Sequence, residues 1–371
     1  MFHLAKALLC LFVIIRFLLP LPWPKAWKVV AAVLLMVVFQ HSLISLLVFG
    51  TMFSPEVPRQ VMIAANWISG IILLLAVFQL LFDLTALTLA ALRRRRVLIP
   101  TWIRYAGGVV AIALAAFGVS QAIRVPPVNE IELSIRGLPE EFDGYRIVHL
   151  TDLHISRLFH APWVEATVER TNAQQADLIV ITGDLIDGDL QARQADIAPL
   201  ERLRAKDGVF AIPGNHEYYF GHDPWMKQYA SLGVTTLSNE YVLISRNGAT
   251  LVLAGVNDLA APLFGLPGPD LVKALKGAPP SAPVVLLNHQ PKEARLAASA
   301  GVDLQLSGHT HGGMILGFDR LVAQFNNGFV SGRYSVGDME LYVNNGTALW
   351  IGFAIRLGKP SELTVIKLRR R

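Results

Sequence analysis

The chain has 371 residues, 53% of them hydrophobic and 16% charged, with a mean hydropathy of +0.44; soluble domains average about 45–50% apolar and about 25% charged. That balance excludes a disordered chain and a single water-soluble globule, and the lone cysteine, Cys10, excludes a disulfide framework or a thiolate zinc cluster. The charge is divided: residues 1–124 hold eleven Lys/Arg against two acids, and residues 125–371 hold 22 against 26, so the pI of 9.3 belongs to the N-terminal third and no nucleic-acid footprint is expected on the remainder.

Four apolar stretches come first: Leu8 to Leu21, which carries Arg16; Val29 to Met52, without Lys, Arg, Asp or Glu; Val61 to Leu92, interrupted by Asp83; and Tyr105 to Ile123. Crossing about 30 Å of hydrocarbon takes about 20 apolar residues, so the last three qualify. The first is either a short span with Arg16 snorkelling or an interfacial helix; no small-residue cleavage site precedes Pro20, Pro22 and Pro24, which argues against a removed signal peptide. Residues 1–124 are therefore expected to form a membrane domain of three or four helices. Arg93 to Arg96 with Arg104, and Lys25 with Lys28, mark cytoplasmic loops. The chain leaving the fourth stretch then emerges outside, giving a multi-pass inner-membrane protein whose C-terminal domain is periplasmic in a Gram-negative cell. Gln40, His41 and Asp83 are polar residues within the stretches; helix–helix hydrogen bonds or an interfacial position account for them, and no functional role is assigned.

Val125, Pro126 and Pro127 open a linker and first strand, residues 125–144. Residues 145–371 then alternate strands and helices. Buried-type strands are expected at Tyr145–Leu150, Asp177–Thr182, Gly208–Ile212, Pro283–Leu287 and Val302–Leu306, with further strands at Glu130–Ile135, Tyr241–Ser245, Thr250–Ala254, Leu341–Val343 and Leu363–Leu368. Helical spacing covers Trp163–Gln174, Gln191–Ala205 and Pro291–Ala300. The pattern is that of a layered α/β sheet, whose ligands gather at the carboxyl ends of the strands.

Each of the five buried-type strands ends in a polar tip: Asp152/His154, Asp184, Asn215/His216, His289 and His309/His311. Five of the ten histidines lie there. A lone His after a strand is more often a satisfied structural residue and Gly-Asp usually just a turn; together the tips supply imidazole and oxygen donors without thiolate, which suits Mn, Fe, Zn or similar divalent ions. There are too many donors for one tetrahedral ion, and two ions sharing a carboxylate use them all.

The blocks Asp152-Leu153-His154, Gly183-Asp184, Gly214-Asn215-His216-Glu217, His289 and Gly308-His309-Thr310-His311 resemble, in order and spacing, the five-block signature of the calcineurin-like metallophosphoesterases, over Tyr145 to Gly313; the apolar N-terminus is similar to that of the membrane-anchored bacterial branch. The resemblance implies a four-layer αββα sandwich. It implies one metal on Asp152, His154 and His311, a second on Asn215, His289 and His309, Asp184 bridging both, and His216 as the catalytic histidine; Glu217, which completes its block, is either a group orienting its neighbours or a helix-start acid. Met314 and Asn257 depart from frequent family residues, at positions that bear on substrate contacts and not on the ligands.

The reaction then expected is hydrolysis of a phosphomonoester, phosphodiester or pyrophosphate by in-line attack of a hydroxide bridging the two ions, with His216 protonating the leaving oxygen. The membrane anchor favours a lipid or lipid-linked phosphate. A soluble diester is a second substrate class, and a UDP-linked acylated sugar would need a cytoplasmic site. The alternative from another class is a catalytically silent, metal-stabilised sensor or binding module. Asp187, Asp189, His160 and His222 are expected to be surface or loop residues, and oligomeric state is not legible.

Overall fold

A computed structural model describes residues 1–371. The chain divides into a helical unit, Met1–Ala122 joined by Ile351–Leu357, and an α/β unit, Ile123–Trp350 with Gly358–Arg371.

In the helical unit, α1 (Phe2–Val13) runs into a π-helical turn at Ile14–Leu18, followed by α2 (Lys25–Phe39), α3 (His41–Phe49), α4 (Arg59–Arg93) and α5 (Thr101–Ile123). Helices α4 and α5 are long and apolar enough to cross a bilayer; α2 and α3, bent by 55° at Gln40, make a third crossing if the pair is one span. Leu47, Leu87 and Val109 are each more than 60% exposed, a surface suited to lipid and not to water. These helices fit an N-terminal membrane region. Four polar residues among them form one network: Arg16 makes a two-point bond to Asp83 (2.9 and 3.1 Å), Gln79 donates to the same carboxylate (2.7 Å), and Arg104 donates to Gln79 Oε1 (2.8 Å) and to the carbonyl of Arg16 (2.6 Å) within the π turn. A carbonyl loosened by the wider turn is thereby satisfied.

The seven residues Ile351–Leu357, far along in sequence, belong to this unit. Asn66 donates to Ile351 O (2.9 Å) and accepts from Ala354 N (2.6 Å), His41 donates to Gly352 O (3.0 Å), and Arg356 N donates to Gly118 O (2.9 Å).

The α/β unit has twelve strands: β1 (Val128–Ile135), β2 (Arg146–Leu150), β3 (Leu178–Thr182), β4 (Val209–Ile212), β5 (Thr235–Thr236), β6 (Glu240–Arg246), β7 (Ala249–Gly255), β8 (Val284–Leu287), β9 (Leu304–Ser307), β10 (Gly332–Val336), β11 (Met339–Val343) and β12 (Leu363–Arg370). One mixed sheet runs β1-β12-β2-β3-β4-β5 and the other β10-β11-β9-β8-β7-β6. Apolar side chains of both sheets, among them Ile147, Val180, Leu253, Val285 and Ile366, form one core; Val252, Leu286 and Leu341 face the other way, onto Ala294 and Ala297. Helices α6 (Ala161–Asn172), α7 (Leu190–Ile197), α8 (Asn215–Tyr219), α9 (His222–Ser231), α10 (Leu271–Ala274), α11 (Ala294–Ser299) and α12 (Asp319–Phe325) fill the crossovers. This is the expected αββα sandwich. The helix expected over 191–205 is shorter: Pro199, whose ring blocks an interior helical bond, turns the chain into a 3-10 segment at Ala198–Arg202.

His149, on β2, is completely buried; its Nε2 pairs with Thr182 Oγ1 at 2.8 Å and its Nδ1 has no partner. Burial lowers its pKa from 6.5 to about 3. The folded value lies below the unfolded one, so the stability it contributes is complete above pH 6.5 and is lost as pH falls towards 3. His149→Gln is expected to flatten the loss of stability across that window, read as thermal unfolding of chelator-treated protein against pH.

Candidate metal centre

The strands end where their apolar runs stop, and at those ends the backbone enters the left-handed region. Among non-glycine residues, Asp152 (φ 53°), His154 (φ 41°), Asp184 (φ 54°), His309 (φ 68°) and His311 (φ 50°) all lie there. Such a conformation costs a side-chain-bearing residue about 1–3 kcal/mol and clusters at functional sites. Two glycines show how close the tips come. A Cβ on Gly308 would overlap Thr151 Oγ1 and the Asp152 carboxylate, and one on Gly214 would overlap Asp184.

The structure brings all seven expected ligand side chains together. Asp152 Oδ1 lies 3.8 Å from His154 Nε2 and 3.6 Å from His311 Nε2, and those two nitrogens are 3.3 Å apart. Asp184 Oδ2 lies 3.8 Å from His154 Nε2 and 3.3 Å from His289 Nε2. His289 Nε2 is in turn 3.2 Å from Asn215 Oδ1 and 3.3 Å from His309 Nδ1. Three groups of donor atoms are close enough to share an ion: Asp152, His154, His311; Asp184, His289, His309; and His154, Asp184, His216. Asp184 belongs to two of them, as a bridging carboxylate would.

The donors fit divalent cations. Asp152 Oδ1 is buried with no hydrogen-bond partner, and a buried carboxylate oxygen left bare is costly. The pairs His154–His311 and His289–His309 bring ring nitrogens to 3.3 Å, close enough to share a proton or a cation. The tautomers agree. His154 Nδ1 donates to Asp187 Oδ1 (3.0 Å), His216 Nδ1 donates to the same oxygen (2.5 Å), and His289 Nδ1 donates to Thr182 O (2.7 Å). Each bond leaves Nε2 with its lone pair aimed into the cluster.

In the absence of cations the imidazoles carry the compensating charge. Burial alone would raise the carboxyls of Asp152 and Asp184, but His311 acting on Asp152, and His289 and His216 acting on Asp184, hold both below the ordinary range. Burial would likewise lower His289, yet Asp184 outweighs it and raises the imidazole to about 10. Cations binding here displace protons.

Two acids support the cluster from behind. Glu217, fully buried at the start of α8, accepts from Gly214 N (2.7 Å), Leu185 N (2.8 Å), Asp184 N (3.1 Å) and Tyr229 Oη (3.1 Å). It is a helix-start acid and at once the clamp on the Asp184 turn. Burial and the Asp184 charge push it up to about 7. Asp187, expected at the surface or in a loop, is instead completely buried and joins His154 to His216; the imidazoles outweigh its burial and hold it at about 2. The neighbours weighed with it do lie outside the cluster: Asp189 caps α7 through Ala192 N (2.8 Å), and His222 pairs with Asp223 (2.8 Å).

The loop 344–348 was not legible as part of the site. Thr347 N donates to Thr151 O (2.8 Å) and Ala348 N to Asp152 O (3.0 Å), which braces the first ligand turn. Asn257, noted for its departure from family usage, is tied to Ser238, Asn239 and Pro267; the next residue, Asp258, is the buried acid here, held by Gln290 at 3.0 Å.

The chain is similar to several known proteins. The family described as calcineurin-like phosphoesterase matches residues 145–313. A Helicobacter pylori metallophosphoesterase is 32% identical over 82% of this chain and 80% of its own length. The Bos taurus transmembrane protein with metallophosphoesterase domain is 36% identical over 70% of this chain and 61% of its own, so the chain spans about three fifths of that relative. Among solved structures, the calcineurin-like phosphoesterase YfkN of Bacillus subtilis aligns at a TM-score of 0.38 and 16% identity, over 55% of this chain and 81% of that one. With buried imidazoles and carboxylates gathered at the strand ends, and relatives matched over most of its length, the chain belongs to the calcineurin-like metallophosphoesterase family.

Proposed function

We propose that the protein is a membrane-anchored phosphoesterase with two divalent ions, one held by Asp152, His154 and His311, the other by Asn215, His289 and His309, with Asp184 shared. The observation that carries this reading is the unpartnered, buried Oδ1 of Asp152 facing two imidazole nitrogens, beside a second carboxylate common to two donor groups. When bound, such ions supply Lewis acidity towards phosphate oxygens and a water acidified to near neutrality. The ligand set carries two negative charges against four on the ions, so the centre keeps an excess of positive charge for an anionic ester.

The chain's own residues supply the rest. Asp184 and Asp152 fix the cluster through His216 N→Asp184 Oδ1 (2.9 Å) and His309 N→Asp152 Oδ2 (3.0 Å). His216 stands at the rim with Nε2 3.9 Å from Asp184 Oδ2. Its Nδ1–H is held by Asp187, so a proton delivered to the leaving oxygen would come from Nε2. His216 also completes one of the three donor groups, and metal retention by its variants distinguishes an acid from a ligand. Substrates on a lipid or lipid-linked phosphate follow from the tether, and the arginines at 93–96 favour an extracytoplasmic site in the inner membrane.

Asp184→Asn is expected to abolish hydrolysis of an aryl phosphodiester while far-ultraviolet circular dichroism stays unchanged; elemental analysis of the metal-loaded parent should find two ions per chain, and a single ion sinks the dinuclear reading. His216→Ala should lower turnover by about 10²–10⁴ with metal content intact, and Asp187→Asn by about 10–100-fold; loss of an ion in His216→Ala would make that residue a ligand. A reporter fluorescing only in the cytoplasm, fused after Arg371, should stay dark; a bright fusion reverses the topology.

A further inference from the structure

Beside the metal centre the α/β unit carries large apolar side chains that nothing covers. Leu316 is 72%, Leu321 55% and Phe325 71% exposed. Leu321 and Phe325 are four apart on α12 and share one face, with Arg320 exposed next to them. None of the α12 side chains is buried. The helix is nevertheless fastened to the site, because a Cβ on Gly313, two residues after His311, would strike the backbone of Asp319. On the other side of the centre the His216 ring meets Tyr219 at 5.1 Å and Tyr219 meets Phe264 at 5.8 Å, next to Leu263, which is 83% exposed. Single exposed apolar residues need no explanation, but a cluster of large ones around a site marks a partner.

Chain continuity says which partner. Ile315, just before Leu316, forms a β-bridge with Gly358, and Asp319 pairs with Lys359 at 3.1 Å. Gly358 and Lys359 directly follow Leu357, the last residue of the segment that belongs to the helical unit, where Ile355 and Leu357 pack on Gly118. The apolar face of α12 is thus tied to the point at which the chain leaves the lipid-spanning helices. An apolar face with a flanking arginine is the composition of a helix that lies in the lipid interface.

We propose that Leu316 and α12 form a second membrane attachment, inserting Leu316, Leu321 and Phe325 among the lipids with Arg320 at the headgroup phosphates. The phosphate esters such an attachment would offer to the candidate metal centre are those of lipids. Leu263 and Phe264, on the His216 side, would then offer apolar surface to an acyl chain. The inference rests on the membrane-anchored reading and adds to it a contact made by the catalytic unit itself.

Spin-label accessibility tests it on the full chain. In a Cys10→Ser background, nitroxides are attached at Leu321→Cys, at Phe325→Cys and, as the aqueous reference, at Ser245→Cys, exposed at the β6–β7 hairpin end remote from the strand tips. The protein is placed in nanodiscs of phosphatidylcholine and phosphatidylglycerol. The ratio of collisions with oxygen to collisions with a water-soluble nickel chelate is expected to be several-fold higher at 321 and 325 than at 245. Equal ratios at the three positions overturn the proposal. So does a label at 321 or 325 shielded from both reagents, which would signify a protein partner or a second copy on this face. The measurement needs no turnover, and hydrolysis of a soluble aryl phosphodiester by the same preparation tests the phosphoesterase reading separately.

Discussion

Two carboxylates with no access to water, Asp152 and Asp184, are the constraint around which the α/β unit is organised. Removing an ionised carboxylate from water costs several kcal/mol even after relaxation, and here the compensating partners are imidazoles whose own burial is unfavourable. Neither set of groups is stable alone in that position. Protons or cations must sit among them. The five left-handed residues add strain, which persists only because the surroundings over-determine it. Glu217 takes two backbone N–H groups at the Asp184 turn and that of Gly214, and the 347–348 backbone takes the carbonyls of Thr151 and Asp152.

The two acids behind the ligands do different work because their surroundings differ. Asp187 is flanked by two imidazole N–H donors and stays ionised, so it fixes which nitrogen of His154 and His216 is turned inward. Glu217 faces backbone amides, a phenol and the Asp184 charge, and its pKa rises. The first sets a tautomer and the second sets a loop; both are needed for the same few atoms to point at one another.

The sequence carried the strand tips clearly, since each candidate ligand follows a short apolar run bounded by turn residues, as Leu178–Thr182 does before Gly183-Asp184. It carried Asp187 poorly. Three residues beyond a ligand, in a stretch with Gly188 and Asp189, an acid looks solvated. What buries it is the bridge between Ile155 and Ile186, which extends the sheet past its nominal end, and Leu185 and Ile186 were the available signal. Strands β5 and β10 escaped because two threonines, or Gly332–Val336 with its alternating exposed residues, present no apolar run. The break at Gln40 has neither Pro nor Gly to announce it, so Val29 to Met52 read as one continuous stretch.

The segment Ile351–Leu357 escaped for a different reason: nothing local distinguishes an apolar loop of the sandwich from one that belongs with the helices. Its partners explain residues that otherwise invite functional readings. A non-helical stretch among apolar helices must have its N–H and C=O groups satisfied by protein. Asn66 serves both ends of one turn of it and His41 serves another carbonyl, while Gly70 and Gly118 leave the room that Ile355 fills. Intramembrane polar residues of this kind are better assigned to that accommodation than to a transport path. The excursion starts at Ile351, three residues after Ala348, whose N–H holds the carbonyl of Asp152. One continuous piece of chain therefore braces a ligand turn at one end and is anchored among the helices at the other. Besides the linker that follows α5, the chain is thus joined to the helical unit a second time, close in sequence to the loop that braces Thr151 and Asp152.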